Sequence, residues 1–232
     1  MSLNRKPIVA MGSGDDPILV LAPALIRDSF AYTLRRYYEA ELKFGFCQSD
    51  EMRAWHGTKN QTRGNEFVKL LDTRLQELGW KVLGIEQQVT GLLGFRQDEK
   101  FGDLKDLGDV DVLAYHEESK RLLAIECKHL HYKKTPGEIA EQLNDYRGEM
   151  RQDGSKLKKD ELRKHLVRME VLQHHHSTLL NRQRLPENVA LEGWVVFRHP
   201  VPMLLCWDKF REQVQIGTYE TIEGDLTCSV SR

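Results

Sequence analysis

The stretch Gly108–Lys128, reading GDVDVLAYHEESKRLLAIECK, constrains the fold more than any other part of the chain. Two runs of β-forming residues, Val110–Tyr115 and Leu122–Cys127, flank a polar turn, His116–Arg121, which is the pattern of a β-hairpin. Side chains alternate along a strand. Asp109 and Asp111 therefore share a face of the first run, and Glu126 and Lys128 share a face of the second, while Ile125 and Cys127 point the other way. Ionised groups are costly to bury unless they are paired or bound to a metal, so acids and a lysine gathered by one hairpin need an explanation. A hard divalent cation supplies one, because Mg²⁺ takes one or two carboxylates and leaves its other positions to water and phosphate oxygens.

The pattern Asp111 followed by Glu126-Cys127-Lys128 resembles the PD-(D/E)xK nuclease superfamily, in which an aspartate on one strand and Glu-x-Lys on the next form the catalytic core. Asp111 fits the first position better than Asp109 because it directly precedes the apolar run Val112-Leu113-Ala114. Gly64-Asn65-Glu66-Phe67 is similar to the setting of a glutamate that many members carry on their first helix, and Gln142-Leu143-Asn144-Asp145-Tyr146 resembles an additional motif of RecB-type nuclease domains. The resemblance covers about Gly64–Tyr146 and extends over Trp194–Trp207; it does not reach the first 60 residues. It implies catalytic roles for Asp111, Glu126 and Lys128. It further implies Mg²⁺ or Mn²⁺ held by Glu66, Asp111, Glu126 and the backbone carbonyl of Cys127, with substrate contacts from Gln142 and Tyr146.

Composition limits the alternatives. A chain of 232 residues with 40% hydrophobic and 30% charged residues suits one soluble globular domain, or one such domain with an N-terminal appendage. Its net charge of −1 provides no global basic field, so any footprint for nucleic acid has to be local. Such a footprint occurs between Arg147 and Arg184, where ten Lys or Arg oppose five acids for a net +5. No apolar run approaches the roughly 18 residues of a membrane span, and a signal-peptide pattern is absent. Cys47, Cys127, Cys206 and Cys228 are scattered and show neither zinc-ligand nor iron–sulfur spacing, which points to a reduced, cytoplasmic protein.

In chain order, Met1–Asp16 reads as a loose leader or a truncation point, Ala24–Leu42 as a helix, and Cys47–Arg63 as a loop or short helix. Asn65–Leu78 has amphipathic helical spacing closed by Gly79, with Glu66 at the border of its buried face. Trp80–Val89 reads as a strand, Gly91–Gly94 as a turn and Arg96–Leu107 as an exposed charged segment. After the hairpin, His129–Lys134 forms a basic bend able to touch a phosphate. Thr135-Pro136-Gly137-Glu138 then has the cap, first-turn proline and reciprocal glutamate of a helix start, and Gln142 and Tyr146 fall on that helix's apolar stripe. Leu162, Leu166, Met169 and Leu172 mark another helix. His174-His175-His176 cannot chelate from one helix face and reads as surface or a phosphate contact. Val189–Phe197 and Met203–Trp207 read as strands, Asp208–Gln213 as helical, and the tail beyond Gly217 as disordered or an edge strand.

The expected architecture is α/β. A restriction-endonuclease-like core, a mixed central β-sheet flanked by helices, occupies residues 61–232, and a helical extension or fragment of a preceding domain occupies 1–60. The expected activity is metal-dependent hydrolysis of DNA phosphodiester bonds. Restriction, repair and mobile-element defence all use such a core, and the sequence does not choose among them. A nuclease-like scaffold that binds DNA or a protein partner without cutting, and an enzyme acting on RNA or small molecules, remain alternatives. DNA is the expected partner; further domains of a larger protein and a homodimer stay open, and no membrane is expected.

Overall fold

The computed structural model describes residues 8–11, 18–38, 47–133, 135–153, 156–205 and 214–228. It forms two compact units, Met1–Arg63 and Gly64–Arg232. In the first, strands β1 (Ile8–Met11) and β2 (Ile18–Leu21) pair antiparallel and helix α1 (Pro23–Tyr38) follows. The reading of Met1–Asp16 as a leader is corrected at Ile8–Met11. Two four-residue apolar runs bracket a Gly/Ser/Asp segment, and hydrogen bonding between them makes a hairpin. Helix α2 (Asp50–Glu77) runs for 28 residues, with its residues to Arg63 in the first unit and those from Gly64 in the second. The loop or short helix expected at Cys47–Arg63 is thus mostly continuous helix. Ser49 caps it by accepting a hydrogen bond from the Met52 amide (3.2 Å), and Gly57 and Gly64 dilute its apolar periodicity without breaking the backbone. Within the first unit Tyr37 stacks on Trp55, with ring centroids 4.3 Å apart.

The second unit continues through β3 (Lys81–Gln88), α3 (Val89–Leu93), a short hairpin of β4 (Gln97–Asp98) and β5 (Gly102–Asp103), and a 3₁₀ turn at Leu104–Leu107. Gly79 ends α2 at φ 84°, as its position predicts, whereas Gly91–Gly94 is not a free turn: Gly94 caps α3 at φ 83°. Arg96–Leu107 is likewise not uniformly exposed, because Leu104 and Leu107 enter the core. The hairpin read from Gly108–Lys128 is present as β6 (Asp109–His116) and β7 (Arg121–Lys128). Helix α4 (Pro136–Asn144) begins at Thr135, whose hydroxyl oxygen accepts from the Glu138 amide and whose hydroxyl donates to the Glu138 carboxylate (3.0 Å).

A small antiparallel ribbon, β8 (Met150–Asp153) and β9 (Lys156–Lys159), precedes α5 (Glu161–His174), α6 (His176–Gln183) and β10 (Ala190–Phe197). Pro202–Leu205 forms a 3₁₀ turn instead of the expected strand; Cys206, Trp207 and the Asp208–Gln213 helix lie outside the described residues. The tail supplies an edge strand, β11 (Gln215–Thr218), and then α7 (Ile222–Cys228).

The central sheet has the order β11-β10-β7-β6-β3, with β3, β6 and β7 antiparallel in sequence and β7, β10 and β11 parallel. It is a five-stranded mixed sheet flanked by helices. Alternation divides its residues. Leu113, Tyr115, Leu122 and Ala124 pack with residues of α3, α5 and α6, while Val112, Ala114, Leu123 and Ile125 pack with Phe67, Leu71 and Leu75 of α2 and with Ile222 and Leu226 of α7. Gly193 on β10 admits α5 closely: a Cβ there would sit 2.7 Å from Met169.

Candidate functional site

The hairpin register pairs Val112 with Ile125, and continuing it by one position sets Asp111 opposite Glu126. Both project from the face of the sheet that α5 covers, since Asp111 shares parity with Leu113, and Glu126 with Ala124. Instead of continuing the backbone ladder there, the Cys127 amide donates to Asp111 Oδ2 at 2.6 Å. Lys128 lies on the same face, its Nζ 2.8 Å from Glu126 Oε1 and 3.1 Å from Glu161 Oε2. The sequence-predicted trio Asp111, Glu126 and Lys128 is therefore gathered in one place.

Helix α5 completes the cluster with three residues that sequence reasoning did not single out. Glu161, His165 and Arg168 fall at i, i+4 and i+7 and so share a helix face. Arg168 Nη1 donates to Glu126 Oε2, and its Nε donates to the Leu107 carbonyl at 3.1 Å. His165 Nδ1 lies 3.9 Å from Glu126 Oε2; the ring is 1% exposed and neither nitrogen has a hydrogen-bond partner among the described residues. Sequence offered only one signal for them: polar side chains interspersed with the core stripe Leu162, Leu166, Met169.

Burial and charge spread the ionisation of these groups apart. Burial, then the charge of Glu126, raises the Asp111 pKa to about 6, against the opposing pull of the Cys127 amide, Lys128 and Arg168. Burial would raise Glu126 as well, but Lys128, Arg168 and His165 outweigh it and hold this carboxyl below the ordinary range. Lys128 is the converse case. Burial alone would lower its pKa, yet Glu126, Tyr146 and Glu161 drive it well above the usual lysine value, so it stays charged. His165 is pushed down to about 4 by burial despite the neighbouring Glu126, which leaves a neutral imidazole at neutral pH. Burial pushes the Cys127 thiol up, and its side chain packs on the opposite face with the α2 cluster.

The remaining expected site residues are placed differently. Glu66 is exposed on α2, the helix whose Phe67, Leu71 and Leu75 cover the other face of the sheet; among the described residues no hydrogen bond or ion pair joins it to Asp111 or Glu126. Gln142 and Tyr146 are both buried. Gln142 Nε2 donates to the His131 carbonyl (3.2 Å), and the Tyr146 ring meets Phe197 edge-on at 5.6 Å. They brace the protein interior, with Tyr146 close enough to Lys128 to influence its charge. Of the triple histidine, His175 is tied to Asp98 (2.6 Å) and packs on Phe95, and His174 packs on Phe101; neither belongs to the carboxylate cluster.

The basic segment Arg147–Arg184 resolves into two environments. Arg168 is buried and committed to Glu126, whereas the β8–β9 ribbon exposes Arg151, Lys158 and Lys159 together with the apolar Met150 and Leu157. No helix among the described residues is long and apolar enough to cross a membrane.

A carboxylate pair, a charged lysine and a buried guanidinium can bind a cation, orient a phosphate or stabilise a developing negative charge. No curated protein and no solved structure matches the chain. A family model described as anti-phage protein Upx-like matches residues 1–221. That match takes in the first unit, the second as far as residue 221, and every residue of the carboxylate cluster, and on it the chain belongs to the Upx-like family of anti-phage proteins.

Proposed function

We propose that the protein is a metal-dependent nuclease that hydrolyses DNA phosphodiester bonds, that its core is restriction-endonuclease-like, and that it acts in anti-phage defence by cutting DNA. The observation that carries this reading is the convergence of Asp111, Glu126 and Lys128 on one face of β6 and β7. The donor set suits a hard divalent ion: burial and Glu126 raise the Asp111 pKa to about 6, a cost that a divalent cation held by these carboxylates would relieve. Asp111, Glu126 and the carbonyl of Cys127 would hold Mg²⁺ or Mn²⁺, which supplies the Lewis acidity that polarises a phosphodiester and acidifies water. Lys128, charged at neutral pH, orients the attacking water and stabilises charge on the phosphate. Glu161 holds Lys128 in place, and Arg168 holds Glu126. Exposed Glu66 is left out of the ligand set, and Gln142 and Tyr146 act as supports. The β8–β9 ribbon supplies the local positive charge for a DNA backbone.

One observation favours a catalytically silent DNA-binding domain instead: Arg168 already occupies Glu126 Oε2, an oxygen that a metal would use. Incubation with supercoiled, linear and single-stranded DNA in Mg²⁺, Mn²⁺ or EDTA separates the two. The nuclease reading expects metal-dependent cutting that falls by about 10²–10⁴-fold in Lys128→Ala and Asp111→Ala. DNA binding without cutting by the intact chain on every substrate would establish the silent domain.

A further inference from the structure

The geometry points to a second metal site, distinct from the carboxylate cluster: we infer that His129, His131 and His199 bind one transition-metal ion of the Zn²⁺ class. The sheet itself brings them together. Strands β7 and β10 are parallel and Lys128 is in register with Phe197, while the Arg198 amide donates to the Lys128 carbonyl (2.9 Å), so the chain emerges from both strands at the same end. One imidazole nitrogen from each of the three residues lies within 4.8 Å of the others, and all three rings are half-buried. The rings contact one another directly: His131 stacks on His199 with centroids 4.8 Å apart, and His129 meets His131 and His199 edge-on at 5.2 and 5.4 Å.

The surroundings hold this arrangement in place. His129 meets Phe67 edge-on at 6.5 Å, which sets it toward the α2 face of the sheet, away from Glu126 and Lys128. Gln142 clasps the loop by donating to the His131 carbonyl, a role that explains a buried amide on the α4 stripe. The Arg198 guanidinium lies over the Tyr219 ring (4.8 Å).

Imidazole nitrogen selects the metal. Three such ligands suit Zn²⁺, Co²⁺, Ni²⁺ or Cu²⁺ and are poor for Mg²⁺, which demands oxygen. Zn–N bonds of about 2.0–2.1 Å in a tetrahedron set the nitrogens about 3.3 Å apart, so rotation of the three side chains by about an ångström or so closes the site. Three protein ligands leave the fourth position to water or to an oxygen of a bound molecule. The inference does not rest on the nuclease reading, because it uses none of Asp111, Glu126 or Lys128.

The test is calorimetric titration of the EDTA-stripped full chain with Zn²⁺, and Co²⁺ absorption as a report on geometry. Wild type should take one Zn²⁺ at this site and give the intense visible bands of tetrahedral Co²⁺. The double variant Asp111→Asn/Glu126→Gln should retain both. Losing outer-shell groups alone costs about 10–100-fold in affinity, so removing a ligand, as in His199→Ala, should cost about 100-fold or more. His129→Gln is titrated alongside, so that a folding defect in either variant does not decide the outcome. Absence of Zn²⁺ binding by wild type, or affinity unchanged in the folded histidine variants, would overturn the site; so would binding lost only in the Asp111/Glu126 variant.

Discussion

At the first residue of β7, Arg121 gives Nε and Nη2 to the two oxygens of Glu192 (2.6 and 2.7 Å), gives Nη1 to the Leu226 carbonyl (2.8 Å), and lies over the Trp80 ring. One cation meets one carboxylate. At the other end of the same strand, Glu126 is shared by Lys128 and Arg168, Lys128 is shared by Glu126 and Glu161, and Asp111 has the Cys127 amide but, among the described residues, no cation of its own within hydrogen-bonding distance. The first end is electrically closed, and its contacts join β7, β10 and α7. The second carries groups whose ionisation is spread over several pKa units by mutual influence, as expected where a fold keeps charge in reserve for something that is not part of the chain.

The sharpest way to separate the ends is to break the closed one. Arg121→Ala leaves Glu192 without its bidentate partner in a largely buried setting and should destabilise the chain by about 3–5 kcal/mol in urea denaturation, with metal binding per folded molecule unchanged. A loss below about 1 kcal/mol would make this pair no more structural than the site opposite.

A smaller effect of opposite sign is expected at Asp111. Its pKa stands at about 6 in the folded chain against an ordinary 3.8, so the folded protein binds this proton more tightly than the unfolded chain. Stability from this group is therefore lost as pH rises from about 4 to about 6 and stays lost above that. Without divalent metal, Asp111→Asn should be more stable than wild type by about 3 kcal/mol at about pH 8 and nearly equal to it near pH 4, measured by denaturation at both values. Equal stability throughout would mean that Asp111 is as well compensated as Arg121.

The least effect belongs to the ribbon. Lys158→Glu with Lys159→Glu should weaken DNA binding several-fold and reduce the slope of log affinity against log salt by about 2, with the unfolding midpoint unmoved. Binding that ignores both charges would remove the ribbon from the DNA-contacting surface.

The legible parts of the molecule were those written locally. Asp111, Glu126 and Lys128 could be found because a hairpin converts period-two spacing directly into a shared face, and Thr135 could be found because a capping box lies within four residues. Arg168, His165 and Glu161 could not. On an amphipathic helix rich in Lys and Arg they look like solvated charge, and only the packing of α5 on the sheet turns them inward. The β1–β2 hairpin was hidden by its short strands. The first half of α2 was hidden by a polar surface that offers no apolar stripe to read.

The span of each contact also bears on how the site assembles. The Cys127 amide reaches Asp111 across 16 residues, whereas Arg168 reaches Glu126 across 42. Closing the shorter loop carries the lower entropic barrier, so a nascent hairpin sets two carboxylates side by side with Lys128 as the one cation the same strand supplies, before the Arg168 guanidinium arrives. Refolding should then quicken wherever the repulsion left in that early hairpin is relieved, in mildly acidic buffer for one, and refolding rates compared across pH read out whether the candidate site is also felt during folding.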